Sequence, residues 1–129
     1  MIFNLLKSKP TLKELIPKGF VDIHSHVLPA IDDGAKNIKE SIELISEMKK
    51  LDFSKIITTP HTYKGLYDNT KESIESSYNK LIPHLDDKNV LEYASEYMIH
   101  EDLIEKAQNK ELLTINNRYV LVEMNFISK

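Results

Sequence analysis

Strand-like and helix-like segments alternate along this chain of 129 residues, and the alternation constrains the fold more than any other feature. Three runs that favour strands lie at residues 20–24, 55–59 and 90–95, and each is followed by a segment with apolar residues three or four positions apart. Parallel strands joined by helical crossovers produce this order. We therefore predict an α/β fold with one core, because a chain of this length is too short for two well-developed domains.

Residues that typically begin or end helices support the predicted α/β fold. The first predicted helix covers residues 37–51, with Asn37 as its N-cap and Glu40 at the third helical position, where a capping box requires it. The second helix is predicted to open at residue 69 or 70. Pro83 should end or kink that helix, because proline has no N–H to donate within it.

The last third of the chain is predicted to contain the most deeply buried strand. After a short helix at residues 101–109, residues 119–122 form a continuous apolar run without alternation, which is typical of a strand buried on both faces of a parallel sheet. Residues 112–115 are predicted as a further short strand, with Asn116 and Asn117 as the turn that follows it.

Charge and hydropathy exclude several classes of protein. The chain has 17 Lys and Arg against 20 Asp and Glu and no basic stripe, so nucleic-acid binding is not expected. Arg118 is the single arginine, which counts against capture of phosphate by guanidinium groups of this chain alone. No run of about 18 apolar residues occurs, so no helix is expected to span a membrane.

The absence of cysteine limits both compartment and chemistry. Disulfides, thiolate-bound zinc and cysteine nucleophiles are excluded, so any metal ligands must be nitrogen or oxygen atoms. Residues 1–7 lack the long apolar region and the cleavage site of a secretory signal. We expect a cytoplasmic protein.

Ligand-type side chains lie at the predicted strand ends. In the segment Asp22-Ile23-His24-Ser25-His26, alternation places His24 and His26 on one face, which forms half a metal site. His61, Glu96 and Glu123 each follow another predicted strand, and the carboxyl ends of parallel strands carry the chemistry in β/α folds. We expect these side chains to converge on divalent cations.

Each candidate also has a simpler interpretation. In isolation, Asp33 in Asp32-Asp33-Gly34 is explained by turn formation, and His61 after a proline is explained as a loop residue. Glu96 is preferred to Glu92 because it lies nearer the carboxyl end of its strand. Glu123 is different, because a carboxylate after an apolar strand is costly to bury without a cation or donors. The remaining histidines, at positions 84 and 100, are predicted to be surface residues.

The expected ligand set favours one kind of reaction. Imidazoles and carboxylates without sulfur suit Mn, Fe or Zn better than Mg or Ca. Adjacent divalent ions generate hydroxide near neutral pH and hold phosphoryl oxygens, so phosphoester hydrolysis is the expected chemistry. No nucleophilic serine motif or glycine-rich phosphate loop competes with this interpretation.

Several sequence blocks carry a family resemblance. In chain order they are Asp22-Ile23-His24-Ser25-His26, Leu28-Pro29-Ala30-Ile31-Asp32-Asp33-Gly34-Ala35, Thr58-Thr59-Pro60-His61, Tyr67-Asp68-Asn69-Thr70, Ala94-Ser95-Glu96-Tyr97 and Val122-Glu123-Met124. From about residue 10 onward, the chain closely resembles bacterial tyrosine phosphatases of the CpsB/CapC type, in the polymerase and histidinol phosphatase (PHP) superfamily. Ala30 departs from the family pattern, which often has glycine there, and is expected to alter the loop only slightly.

The resemblance implies a usually manganese-activated phosphatase with a trinuclear site in a distorted β/α barrel. Its substrates would be phosphotyrosine residues on proteins, above all bacterial tyrosine kinases that control capsule or exopolysaccharide assembly. A metal-activated hydroxide would be the nucleophile, so no side chain is assigned as catalytic. By matching motif, the implied metal ligands are His24, His26, Asp33, His61, Glu96 and Glu123.

Length is the main departure from the resemblance. A β/α barrel typically needs about 250 residues, so residues 1–129 are expected to be the N-terminal portion of one PHP-type domain, a partial barrel without the later ligands and phosphate-binding arginines of the family. Activity of this portion is expected to be weak or absent. Two alternatives stay open: a non-catalytic remnant that forms dimers or binds a kinase, and a PHP phosphoesterase with another substrate.

Overall fold

A computed structural model describes residues 9–124 of the chain. The predicted N-terminal segment 1–7 lies outside the described residues. The elements, in chain order, are α1 (Leu12–Leu15), β1 (Phe20–Asp22), α2 (Ile38–Lys50), β2 (Phe53–Thr58), β3 (His61–Thr62), α3 (Lys71–Leu81), 3₁₀ turns at Ile82–His84 and Lys88–Val90, β4 (Leu91–Tyr93), β5 (Glu96–Met98), α4 (Glu101–Gln108) and β6 (Leu121–Glu123).

The strands form two parallel sheets that continue into each other. One sheet has the order β1-β2-β4 and the other has the order β3-β5-β6. Only Thr59 and Pro60 separate β2 from β3, and the Glu96 N–H donates to the carbonyl of Pro60 across the gap. The predicted α/β class with parallel strands and helical connections is confirmed. Among residues 9–124, β1 and β6 each pair with a single neighbouring strand.

Helices α2 and α3 cover the first sheet and enclose the main core. That core contains Val27, Leu28, Ile45, Ile56, Ile74, Leu81, Leu85, Val90 and Leu91. Burial of each large aliphatic side chain contributes about 1.5–3 kcal/mol to folding. Leu28 is fully buried and lies between His26 and Asp32 in the sequence, so the core anchors the loop that follows β1.

The predicted helix ends are largely confirmed. The Asn37 side chain accepts a hydrogen bond from the Glu40 N–H, as an N-cap should. The predicted capping box is incomplete, because the Glu40 carboxylate accepts from the Lys36 N–H instead of the Asn37 N–H. Helix α3 begins after Thr70 and ends at Leu81, two residues before Pro83.

Two predictions for the last third of the chain are wrong. Residues 112–115 form no strand, although Asn116 and Asn117 do form a turn in the left-handed region, with φ of 52° and 55°. The segment 119–122 is not buried on both faces, because Val122 is 44% exposed and β6 has one strand neighbour among the described residues. Apolar composition indicated the strand but not the number of its neighbours.

No helix within residues 9–124 is long and apolar enough to cross a membrane.

Candidate metal centre

Four segments of the two sheets and their connections bring ligand-type side chains into one cluster. His24 and His26 follow β1, His61 begins β3 just after β2, and Glu96 begins β5 just after β4. Glu123 is the last residue of β6. The parallel register places His61 beside Glu96, so the backbone alone brings two of these residues together.

The Glu96 carboxylate lies at the centre of the cluster. Its Oε2 atom is 3.1 Å from His24 Nε2, 3.3 Å from His26 Nε2 and 3.4 Å from His61 Nδ1. The Glu96 side chain is only 6% exposed. A buried carboxylate oxygen close to three imidazole nitrogens would, together with them, be able to hold a divalent cation.

The contact between His61 and Glu123 tests whether the residues fit a metal. His61 Nδ1 lies 2.7 Å from Glu123 Oε1, yet both atoms are buried and neither makes a hydrogen bond. Two ligand atoms bound to one cation at about 2.1 Å and a right angle lie roughly 3 Å apart. The spacing and the unsatisfied atoms therefore fit a pair of ligands that share an ion.

Asp33 completes the cluster on its open side. Its Oδ1 atom lies 3.6 Å from His61 Nε2, and its side chain is 62% exposed. The structure thus brings all six sequence-predicted residues together, in three overlapping triads whose ligand atoms lie within 4.8 Å of one another: His24, His26 and Glu96; His26, Asp33 and His61; His61, Glu96 and Glu123. Shared members make these triads one candidate centre for divalent cations.

Asp32 is the residue that sequence reasoning missed. Its side chain is fully buried, and it accepts hydrogen bonds from His26 Nδ1 at 2.7 Å, from the Gly34 N–H at 3.0 Å and from the His61 N–H at 3.0 Å. In the sequence analysis, turn formation in Asp32-Asp33-Gly34 is a sufficient explanation for these aspartates. The adjacency of the two aspartates could have indicated the role of Asp32, since neighbouring side chains point in different directions and one carboxylate can face inward while the other faces the cluster.

Charges around His26 and Asp32 favour their ionised forms. The hydrogen bond to Asp32 raises the pKa of His26; burial opposes this effect, and the nearby carboxylates of Asp32, Glu96 and Asp33 add to it. Burial by itself would raise the pKa of Asp32, but the hydrogen bonds from His26, Gly34 and His61 outweigh it and lower that pKa.

Two further residues hold His61 in place. The Tyr67 ring stacks on the His61 ring, with centroids 5.4 Å apart and planes 11° from parallel. The Asn69 side-chain amide donates to the carbonyls of His61 at 2.7 Å and Ile31 at 3.0 Å, and so ties the two loops of the centre together. The sequence analysis places Asn69 at a helix start and in a block of the family resemblance, but assigns it no role in the centre.

The residues predicted to lie outside the centre do so. His84 and Glu92 are exposed, and Glu92 pairs with Lys55. His100 is also exposed, and its Nδ1 atom lies 3.0 Å from Asp102 Oδ1 at the start of α4.

The parallel sheets and the clustered side chains define an α/β protein with a candidate multinuclear metal centre. Comparison with known proteins then places it more closely. The chain belongs to the CpsB/CapC family of capsular polysaccharide synthesis, whose pattern matches residues 20–129.

Named relatives agree with this membership. The chain is 36% identical to the CapC protein of Staphylococcus aureus over 107 residues, 32% identical to the tyrosine-protein phosphatase CpsB of Streptococcus pneumoniae over 109, and 30% identical to the tyrosine-protein phosphatase YwqE of Bacillus subtilis over 110. These matches cover 80–82% of this chain and 42–45% of the relatives. The chain therefore spans less than half the length of these relatives.

A solved structure shares the fold. It comes from a study of YwqE of Bacillus subtilis and CpsB of Streptococcus pneumoniae, described as unique metal-dependent tyrosine phosphatases. The match has a TM-score of 0.73 at 30% identity and covers 83% of this chain and 45% of the other.

Proposed function

We propose that this chain provides a metal centre of a metal-dependent protein-tyrosine phosphatase. The proposed ligands are His24, His26, Asp33, His61, Glu96 and Glu123. One observation supports the proposal above all others: three ligand triads converge, and the Glu96 carboxylate lies within 3.4 Å of three imidazole nitrogens. Hydrogen bonding within the protein leaves His61 Nδ1 and Glu123 Oε1 unsatisfied, and a cation would satisfy both.

Manganese is the proposed ion, with zinc or iron as alternatives, because the donors are imidazoles and carboxylates. Such ions supply a water of lowered pKa and an electrophile for phosphoryl oxygens when they are bound. The protein's own part is to position the donors: Glu96 lies 3.4 Å from His61 Nδ1, and the Asp33 side chain, 3.6 Å from His61 Nε2, is exposed to solvent.

The proposed substrate is phosphotyrosine on a protein, with a bacterial tyrosine kinase of capsule or exopolysaccharide assembly as partner and the cytoplasm as location. The names of the relatives support this choice.

We further propose that residues 1–129 are the N-terminal portion of one PHP-type domain that closes as a distorted β/α barrel at full length. Coverage of 42–45% of the relatives and the single strand neighbours of β1 and β6 support it.

Metal binding is the property to test on this chain, because hydrolysis belongs to a protein of the relatives' full length. Calorimetric titration of the metal-free chain with Mn²⁺ should show binding, and Glu96→Gln should weaken it by at least about 10-fold, since even outer-shell partners of metal ligands cost 10-fold or more. Glu92→Gln, an exposed glutamate of β4, is the matched control and should bind as the wild type does. Equal binding by both variants would contradict the proposal.

Hydrolysis tests the substrate class. We expect residues 1–129 to hydrolyse p-nitrophenyl phosphate far more slowly than a version extended to the relatives' length, and the extended version to prefer a phosphotyrosine peptide to an alkyl phosphate. Equal rates for the short and extended versions would contradict the first expectation. Preference for the alkyl phosphate would favour a PHP phosphoesterase with another substrate.

Exposed apolar strands favour a second candidate, a non-catalytic module that dimerises or binds a kinase. Val122 in β6 and Ile23 just after β1 are both strongly exposed. Apolar side chains on open sheet edges promote association. Light-scattering mass measurement with metal analysis separates the candidates: a metal-free dimer favours the module, and a metal-loaded species favours the phosphatase.

A further inference from the structure

We propose that Asp32 is a positioning residue: it holds the His26 ring with a proton on Nδ1 and thereby presents the Nε2 lone pair to the candidate metal centre. This inference rests on the proposed function only in naming a metal ion as the species that binds at Nε2. The hydrogen bond between Asp32 and His26, and the tautomer of His26 that it selects, exist in the metal-free chain.

The two ring nitrogens of His26 contact two different carboxylates, at different distances. Nδ1 lies 2.7 Å from Asp32 Oδ2, and Nε2 lies 3.3 Å from Glu96 Oε2 on the opposite side of the ring. An ionised carboxylate only accepts hydrogen bonds, so the shorter contact selects the Nδ1–H form of a neutral imidazole. The Nε2 lone pair is then directed toward the side of the ring where His24 and Glu96 meet.

Asp32 is fully buried and accepts three hydrogen bonds from protein donors, so it is not among the proposed ligands. Its Oδ1 accepts from the Gly34 N–H, and its Oδ2 accepts from His26 and from the His61 N–H. None of the ligand triads among the described residues includes it. The adjacent Asp33 has the opposite role, because its exposed carboxylate faces His61 Nε2.

The same carboxylate fixes the backbone on both sides of the centre. Through Gly34 it holds the turn that carries Asp33, and through the His61 N–H it holds the start of β3. The turn packs tightly under His26: a Cβ at Gly34 would lie 2.0 Å from the His26 carbonyl oxygen, so only glycine fits there. One buried side chain thus sets the positions of three proposed ligands.

The first experiment measures the tautomer of His26 in the metal-free wild-type chain, from ¹⁵N chemical shifts of the ring at a pH where the imidazole is neutral. We expect the Nδ1–H form to predominate, and a predominant Nε2–H form would overturn the proposal. This measurement needs no variant, so it decides the question even if substitutions at Asp32 prevent folding.

The second experiment compares Asp32→Asn with Asp102→Asn, the matched control in which an aspartate accepts from an exposed histidine, His100, far along the chain. We expect D32N to lower the Nδ1–H fraction of His26 and to weaken Zn²⁺ binding about 10- to 100-fold, the usual effect of losing a carboxylate behind a metal-bound histidine. D102N should change neither quantity. Zn²⁺ binding by folded D32N within twofold of the wild type would overturn the proposal.

The outcomes separate this inference from the proposed function. A wild-type chain that binds no metal but shows the Nδ1–H tautomer, lost in D32N, would contradict the metal centre and support the role of Asp32. A chain that binds Zn²⁺ but shows the Nε2–H tautomer of His26 would support the metal centre and contradict the role of Asp32.

Discussion

His61 Nδ1 and Glu123 Oε1 lie 2.7 Å apart, and both atoms are buried without a hydrogen bond. Without a well-directed hydrogen bond, the contact contributes little to the stability of the metal-free protein. The two residues come from β3 and β6, so the fold of the sheet brings the two atoms together, and a cation bound by both would satisfy them.

Glu123→Gln should therefore separate stability from metal binding. Removing the charge should leave the metal-free chain at least as stable as the wild type, while the stabilisation conferred by added metal, about 2.7 kcal/mol at 100 times Kd for an intact site, should largely disappear. Thermal melts with and without Mn²⁺ measure both quantities. Glu111→Gln, at an exposed position, serves as the control and should keep the full metal response. A metal response equal to the wild type in E123Q would count against Glu123 as a ligand.

Ala30→Gly should stabilise the chain. Ala30 has φ of 54°, in the left-handed region that favours glycine. Relief of this strain should raise the free energy of unfolding by up to about 1 kcal/mol. Ala107→Gly is a control of opposite sign, because Ala107 lies within helix α4 and glycine costs about 1 kcal/mol there. Urea unfolding measures both, and a destabilised A30G would contradict the assignment of backbone strain to Ala30.

Asn69→Ala should loosen the centre without touching a proposed ligand side chain. The variant leaves the carbonyls of Ile31 and His61 without their donor, at a cost of about 1–3 kcal/mol. We expect a lower free energy of unfolding and weaker Mn²⁺ binding together. Asn89→Ala, whose side chain is exposed, is the control and should change binding little. Unchanged stability and binding in N69A would remove the role assigned to this amide.

Asp102 gives a pH dependence that is independent of the centre. Burial alone would raise its pKa, but hydrogen bonds from His100 and Lys106 lower it, so the folded pKa lies below the unfolded one. Its contribution to stability is present above the unfolded pKa and is lost as pH falls through the folded pKa. The difference in unfolding free energy between wild type and D102N should be at most about 1 kcal/mol at neutral pH and shrink in acid. A difference that grows in acid would contradict the sign.

Five of the six proposed ligands could be predicted from the residues themselves, because they follow predicted strands, whereas Asp33 is implied only by the family resemblance. Parallel register does bring Glu96 beside His61. Alternation along a strand predicts that His24 and His26 share a face, but β1 ends at Asp22 and both histidines lie in the segment that follows it. The role of Asp32 and the stacking of Tyr67 on His61 depend on how two loops fold back on each other, which no local pattern encodes. The exposure of Val122 depends on how many strands flank β6, and an apolar run does not specify that number.

Anomalous diffraction from crystals of this chain grown with Mn²⁺ tests directly whether the cluster around Glu96 binds metal. We expect peaks within about 2.5 Å of Glu96 Oε2, in contact with imidazole nitrogens of His24, His26 or His61. Ordered manganese bound only elsewhere on the protein, with the Glu96 carboxylate free of metal, would contradict it.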